Sequence, residues 1–192
     1  VQPASIPFPL PNELSGLHGV NMAVPELQAD RQFATAPPAS YVVNSLSSMK
    51  ELGIQIIRLP FYWNPSEGDL PRAVKNQYLD AMEQIVQMAY PIYVIIDNHK
   101  NANKDPVVWN RFWTTTSMWQ THQHFWLEII ERLDAYPNVI AYEILNEPPV
   151  ASDLDYDRMG DYNTFMATEM RKLTNKYIIF NREAAATNYT RR

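Results

Sequence analysis

The sequence predicts an α/β chain built on a parallel sheet of about five strands, and three observations carry that expectation. Short, nearly continuous apolar runs of strand length recur along the chain, stretches of helical period lie between them, and each apolar run ends in groups that bind or titrate. Apolar residues at successive positions suit a strand covered on both faces, as in parallel sheets. Strands alternating with helices are joined by right-handed crossovers.

Taken in order, residues 1–16 carry Pro3, Pro7, Pro9 and Pro11 and are expected to be an extended, polyproline-like arm. That arm is either a linker stub or a segment laid over the bottom of the sheet, and the domain proper is expected over 17–192. The first strand is 17–21, ending in Asn21. Val42, Leu46 and Met49 recur at helical spacing before Gly53, a helix stop. The second strand, 54–60, carries Arg58 beside the terminating Pro60. Tyr78, Leu79, Met82, Ile85, Val86 and Ala89 form an apolar stripe, with Asp80, Glu83 and Gln84 turned away. The third strand, 92–99, ends in Asp97, Asn98 and His99.

Residues 100–117 are expected to be irregular, and they carry Trp109, Arg111 and Trp113. These indoles either stack on sugar or form a small loop core. Phe125, Trp126, Ile129, Ile130 and Leu133 make the next stripe, followed by the fourth strand at 139–145. Pro148 cannot donate to a ladder, so that strand must stop before it. Asn146 and Glu147 therefore sit side by side at a strand's carboxyl end, where α/β barrels keep their chemistry. Tyr162, Phe165, Met166, Met170 and Leu173 form the last helix, and 177–181 the fifth strand. The polar ends at Asn21, Arg58, His99, Glu147 and Asn181 are spaced by 37, 41, 48 and 34 residues. Each interval fits one strand, one helix and their loops.

Composition bounds the function. A chain of 192 residues is expected to be one domain with a sizeable core, and 46% hydrophobic residues mark it as globular. A net charge of −5 without basic runs argues against nucleic acid or an anionic membrane as partner. Zero cysteines exclude disulfides and cysteine metal sites. No apolar run approaches the ~20 residues needed to span a bilayer. The chain opens on Val1 rather than Met, as expected of a protein whose leader has been removed, which would make it extracellular. Asn188-Tyr189-Thr190 fits a glycosylation acceptor.

The set Gly19-Val20-Asn21, Arg58-Leu59-Pro60, Asp97-Asn98-His99 and Asn146-Glu147-Pro148 resembles the cellulase-type glycoside hydrolases of family 5. These belong to the clan of retaining (β/α)8-barrel glycosidases, and the resemblance spans about residues 17–181. It implies that Glu147 is the general acid/base at the end of strand 4 and that Asn146 holds the sugar 2-hydroxyl. It likewise implies that Arg58 lies beside the nucleophile and that His99 lines the subsite at the scissile bond. For Arg58 the structural alternative is an ion pair tying strands together, and for His99 a ring satisfied by Asp97 or a carbonyl. Tyr62 and Trp63, just beyond strand 2, are candidate sugar platforms. No cofactor and no metal is implied.

Retaining glycosidases place two carboxyl groups about 5 Å apart and tune them in opposite directions, one as acid and one as nucleophile. The family nucleophile is a second glutamate at the end of strand 7. At ~40 residues per unit eight units need roughly 300 residues, so this chain matches a partial (β/α)8 barrel of about five units. Glu183, the only late carboxylate, reads as a loop or helix-start residue. The expected function is retaining hydrolysis of β-linked polysaccharide by an incomplete chain without its nucleophile. The alternative is a catalytically inactive relative that binds polysaccharide or assembles into filaments. Two apolar edge strands and an unfilled barrel interior, with Val20, Ile56, Val94 and Ile144 or their inward neighbours meeting water, predict self-association or a complementary chain.

Overall fold

Strand and helix alternate in the expected order in the computed structural model, which describes residues 16–22, 39–99, 106–150 and 152–181. The order is β1 (Gly19–Asn21), α1 (Ala39–Glu51), β2 (Ile56–Phe61), a 3₁₀ turn (Pro65–Glu67), α2 (Arg72–Ala89), β3 (Tyr93–Asn98), α3 (Pro106–Thr114), α4 (Thr116–Leu133), β4 (Val139–Glu143), α5 (Asp153–Met170) and β5 (Tyr177–Ile179). The five strands are parallel and lie in sequence order, β1-β2-β3-β4-β5. The chain is a partial (β/α) barrel. The expected arm lies almost wholly outside the described residues, as do Glu183 and Asn188.

Local chemistry sets the element ends. α1 stops where Gly53 takes φ 71°, with Ile54 N donating to the Met49 carbonyl. α5 is capped by Ser152, whose hydroxyl accepts from the Asp155 amide at 3.1 Å. Asn138 Nδ2 donates to the carbonyls of Val86 and Ile92, tying the end of α2 to the starts of β3 and β4.

One face of the sheet carries the helices. Ile57, Leu59, Phe61, Val94, Ile96 and Tyr142 are each 0% exposed on it. Phe61 packs edge-on against Tyr78 of α2 and against Phe125 and Trp126 of α4, with ring centroids 5.6 to 5.9 Å apart. The opposite face holds laterally paired rows: Asn21, Arg58, Ile95, Ala141 and Tyr177 in one, and Pro60, Asp97, Glu143 and Ile179 in the next. Ile56, Tyr93, Ile95, Tyr177 and Ile179 on that face are half-buried.

Three expectations are corrected here. Val94 and Ile144 lie under helices, 0% and 1% exposed, and do not meet water, whereas Val20 on β1 is 36% exposed and Ile56 is half-buried on the opposite face. The pairing of β3 with β4 is irregular between Val94 and Ile95, and a one-residue change of parity swaps sheet faces. β4 ends at Glu143 rather than 145. Within 100–117, residues 106–114 form α3 and α4 begins at Thr116, while 100–105 lie outside the described residues. A nine-residue helix is marginal by itself, and Trp109, Phe112 and Trp113, each at most 1% exposed, hold this one by tertiary burial.

Candidate active site

The carboxyl ends of β1 to β5 bring Asn21, Arg58, Asp97, His99, Glu143, Asn146 and Asn181 together. Arg58 is the hub. Its Nε and Nη2 donate to the two oxygens of Glu143 at 2.6 Å each, a bidentate pair. Nη2 also reaches Asp97 Oδ2 at 3.0 Å and Asn146 Oδ1 at 2.8 Å, and Nη1 lies 3.5 Å from Asn21 Oδ1. Asn181 Nδ2 donates to Glu143 Oε1 at 2.5 Å. Asp97 and Glu143 are adjacent in one lateral row and Arg58 lies in the row below, so the sheet register itself assembles the triad.

Burial makes the pairing necessary. The side chains of Asp97 and Glu143 are 0% and 6% exposed, against 21% for Arg58. Burial opposes the Arg58 charge, but Glu143, Asp97 and Glu147 outweigh it and hold the guanidinium above its usual pKa. Burial pushes Asp97 up to about 6, aided by Glu143 and opposed by the hydrogen bond from His99 and the charge of Arg58. Its Oδ1 is buried without a hydrogen-bond partner among the described residues.

His99 sits at the rim. Its Nδ1 is 2.9 Å from Asp97 Oδ2, so the N–H donates there. With that proton committed, Arg58 Nη1 at 3.3 Å is a close contact on Nδ1 rather than a second bond. Nε2 is left as an acceptor facing Asn146 Nδ2 at 3.5 Å. Asn146 is thus oriented from both sides by Arg58 and His99, and its backbone N–H donates to the Asn98 carbonyl at 2.9 Å. Glu147, the next residue, is exposed and takes φ 43°, the left-handed region that non-glycine residues rarely occupy.

Arg58, His99, Asn146 and Glu147 therefore converge. Both structural alternatives are also realised: Arg58 ties β2 to β3 and β4, and His99 is satisfied by Asp97. Tyr62 is half-buried with its ring 5.3 Å from that of His99, at the margin of the site. Trp63 does not join it. It is 3% exposed, packs against His122 and Phe125, and donates its indole N–H to the Gly68 carbonyl, so it is a core residue and not a sugar platform. Trp109 and Trp113 are likewise core, while Arg111 is exposed.

Sequence reasoning missed Glu143. The available signal was a carboxylate inside an otherwise apolar buried strand, which must find a cation. Among the described residues no group of three or more His, Cys, Asp or Glu is placed to hold a metal ion. None of the described helices is long and apolar enough to cross a membrane.

A polar cluster at the carboxyl edge of parallel strands fits many chemistries, and comparison with known proteins narrows it. A family profile, Cellulase (glycosyl hydrolase family 5), matches residues 35–189. The chain belongs to glycosyl hydrolase family 5. The matched span includes Arg58, His99, Asn146 and Glu147 of this family 5 chain. It is 27% identical over 150 residues to the manganese-dependent endoglucanase Eg5A of Phanerodontia chrysosporium, covering 75% of this chain and 38% of that protein. It is 25% identical over 136 residues to endoglucanase B of Clostridium cellulovorans, covering 69% of this chain and 29% of that one.

Among solved structures, endo-glycoceramidase II from Rhodococcus sp. superposes with a TM-score of 0.67 at 15% identity over 88% of this chain and 50% of that one. The endocellulase of Pyrococcus horikoshii gives 0.55 at 21% identity, over 85% and 50%. The family 5 chain thus spans half or less of the length of these relatives.

Proposed function

We propose that this chain carries the acid/base half of a retaining, endo-β-glucanase-like glycosidase acting on β-linked polysaccharide. The observation that supports the reading most is the placement of Glu147. It is exposed, held in a left-handed conformation, and follows Asn146, which the Arg58–Asp97–Glu143 hub orients. In its acid form Glu147 gives a proton to the glycosidic oxygen as the C1–O bond breaks. As a carboxylate it then takes a proton from the water that attacks C1. Asn146 is placed to hold a sugar hydroxyl, with His99 and Tyr62 beside it.

The described strand ends hold three carboxylates, and two of them, Asp97 and Glu143, are committed to Arg58. In this reading the nucleophile comes from elsewhere, and the described residues alone give no covalent glycosyl-enzyme. A fluorinated glycoside that leaves a mass increment on Asp97 or Glu143 would overturn that. The same committed pair favours, as a second reading, a relative that binds polysaccharide without hydrolysing it. That reading expects oligosaccharide binding with no turnover from any preparation.

β1 and β5 each pair on one side only among the described residues, and the helix-free face is lined by half-buried Ile56, Tyr93 and Ile95. Both features support a second copy or a complementary chain as partner, in the extracellular setting proposed for polysaccharide breakdown.

The acid/base role is tested with Glu147→Gln in any preparation that hydrolyses β-glucan. Hydrolysis of substrates with poor leaving groups should fall by about 10²- to 10⁴-fold, the worth of general acid catalysis. Glycosylation by activated aryl glycosides, whose leaving groups need no proton, should fall far less. Equal losses on both would remove Glu147 from the role.

A further inference from the structure

We propose that Trp113 and Trp126 are positioning residues whose indole N–H groups clamp the two ends of loop 144–149 and thereby hold Glu147 in its left-handed conformation. The functional meaning of the clamp rests on the acid/base reading of Glu147; the clamp itself does not. At the near end, Ile144 N donates to the Ile179 carbonyl at 3.1 Å, and the Ile144 carbonyl accepts from Trp126 Nε1 at 3.2 Å. At the far end, the Pro149 carbonyl accepts from Trp113 Nε1 at 2.9 Å. Between them Glu147 takes φ 43° directly before Pro148 and Pro149.

Neither proline has an N–H, so the loop cannot close its own backbone bonds there and its carbonyls must find donors elsewhere. The left-handed region is unfavourable for a non-glycine residue, so the surroundings must impose it. Both donors are suited to that. Trp113 and Trp126 are 1% and 0% exposed, so water cannot stand in for a broken bond.

Their rings are fixed by an aromatic cluster between α3, α4 and α5. Trp113 lies 5.0 Å from Phe112 and 5.7 Å from Tyr162, centroid to centroid. Trp126 Nε1 is shared with His122 Nε2 at 3.1 Å, while the far nitrogen of that imidazole meets Tyr162 Oη at 2.5 Å. The Tyr162 and His122 rings are stacked, 6.0 Å apart at 3°. The same His122 Nε2 is 2.8 Å from Asn98 Nδ2, and the Asn98 carbonyl holds the Asn146 N–H. One buried cluster thus reaches both the loop that carries Glu147 and the strand end that carries His99.

The test replaces indole N–H by C–H in the full 192-residue chain, as Trp113→Phe and Trp126→Phe. Backbone NMR then reads the amide-to-α coupling and the 13Cα and 13Cβ shifts of Glu147. Both variants should move Glu147 out of its left-handed values while β3 amides keep theirs. Trp119→Phe is the matched control, because its Nε1 donates to the Phe112 carbonyl at 2.8 Å within the helical layer. It should lower stability and leave Glu147 unmoved.

Unchanged Glu147 parameters in both clamp variants would overturn the proposal. Should either variant not fold, hydrogen exchange of the indole N–H groups in the unaltered chain decides. Protection comparable to the β3 amides supports the clamp, and exchange at the rate of an exposed indole refutes it. Where hydrolysis can be measured, Trp113→Phe should lower kcat on poor leaving groups about tenfold to a hundredfold with KM unchanged, as expected of a misplaced acid. A moved Glu147 with no such change would uphold the clamp and sink the acid/base assignment instead.

Discussion

Replacing Arg58 by Met removes the only cation paired with two buried carboxylates among the described residues, and the cost can be worked from the geometry. The lost contacts are the two 2.6 Å bonds to Glu143 and the 3.0 Å pair with Asp97, whose partner side chains are 6% and 0% exposed. An exposed pair would be worth under about 1 kcal/mol. Breaking a buried one leaves an uncompensated charge and costs about 3–5 kcal/mol. At roughly 2–4 °C per kcal/mol for a chain of this size, Tm should fall by about 6–20 °C.

Without the guanidinium, which opposes the upward push of burial, the folded state holds a proton on Asp97 to still higher pH than the unfolded chain does. Stability of the variant therefore falls as pH rises through that window, and its deficit should shrink between pH 7 and pH 5. Adding Glu143→Leu to Arg58→Met should recover about 1–3 kcal/mol, since removing both partners of a buried pair is far milder than removing one. Urea unfolding followed by tryptophan fluorescence gives all of these numbers. A single-variant loss below about 1 kcal/mol, insensitive to pH and simply additive with Glu143→Leu, would refute the view of the hub as a buried ionic network.

Other outcomes follow from the same structure. Asp97, with a folded pKa near 6 against 3.8 unfolded, makes stability fall as pH rises between those values, whereas His122, pulled by burial from 6.5 to about 3, makes stability rise with pH over that range. Asp97→Asn should therefore render the chain more acid-sensitive than the parent and His122→Gln less so, checked by Tm against pH from 4 to 7; parallel curves would contradict the buried titrations. Phe61→Ala, at 0% exposure among Tyr78, Phe125 and Trp126, should cost about 3–5 kcal/mol in urea unfolding. Light scattering at micromolar concentration should find species larger than the 22.2 kDa monomer, and a cooperatively unfolding monomer would show that the sheet needs no partner.

Much of the architecture was legible before any coordinates. Helix stripes such as Tyr78, Met82, Ile85 and Ala89 repeat at 3.6 residues, because local periodicity acts over a few residues, whereas Pro60, expected to end the second strand, lies inside β2, which runs on to Phe61. The cluster of Arg58, His99, Asn146 and Glu147 was equally legible, since each occupies the carboxyl end of a strand and parallel strands put those ends on one edge.

Other features depended on contacts between residues far apart in the chain, which no local pattern encodes. Glu143 joined the site because register sets it beside Asp97 and above Arg58, 85 residues away in sequence. Trp63 read as a sugar platform by its place after strand 2, and Trp109 and Trp113 as either sugar-stacking or a small loop core, and helix packing buried all three. The sequence by itself determined which residues stand at the strand ends, because chain connectivity and strand length are local. Only the tertiary structure decided which carboxylates are neutralised there and which one stays exposed, because burial and ion pairing arise only when the strands align and the helices close over them.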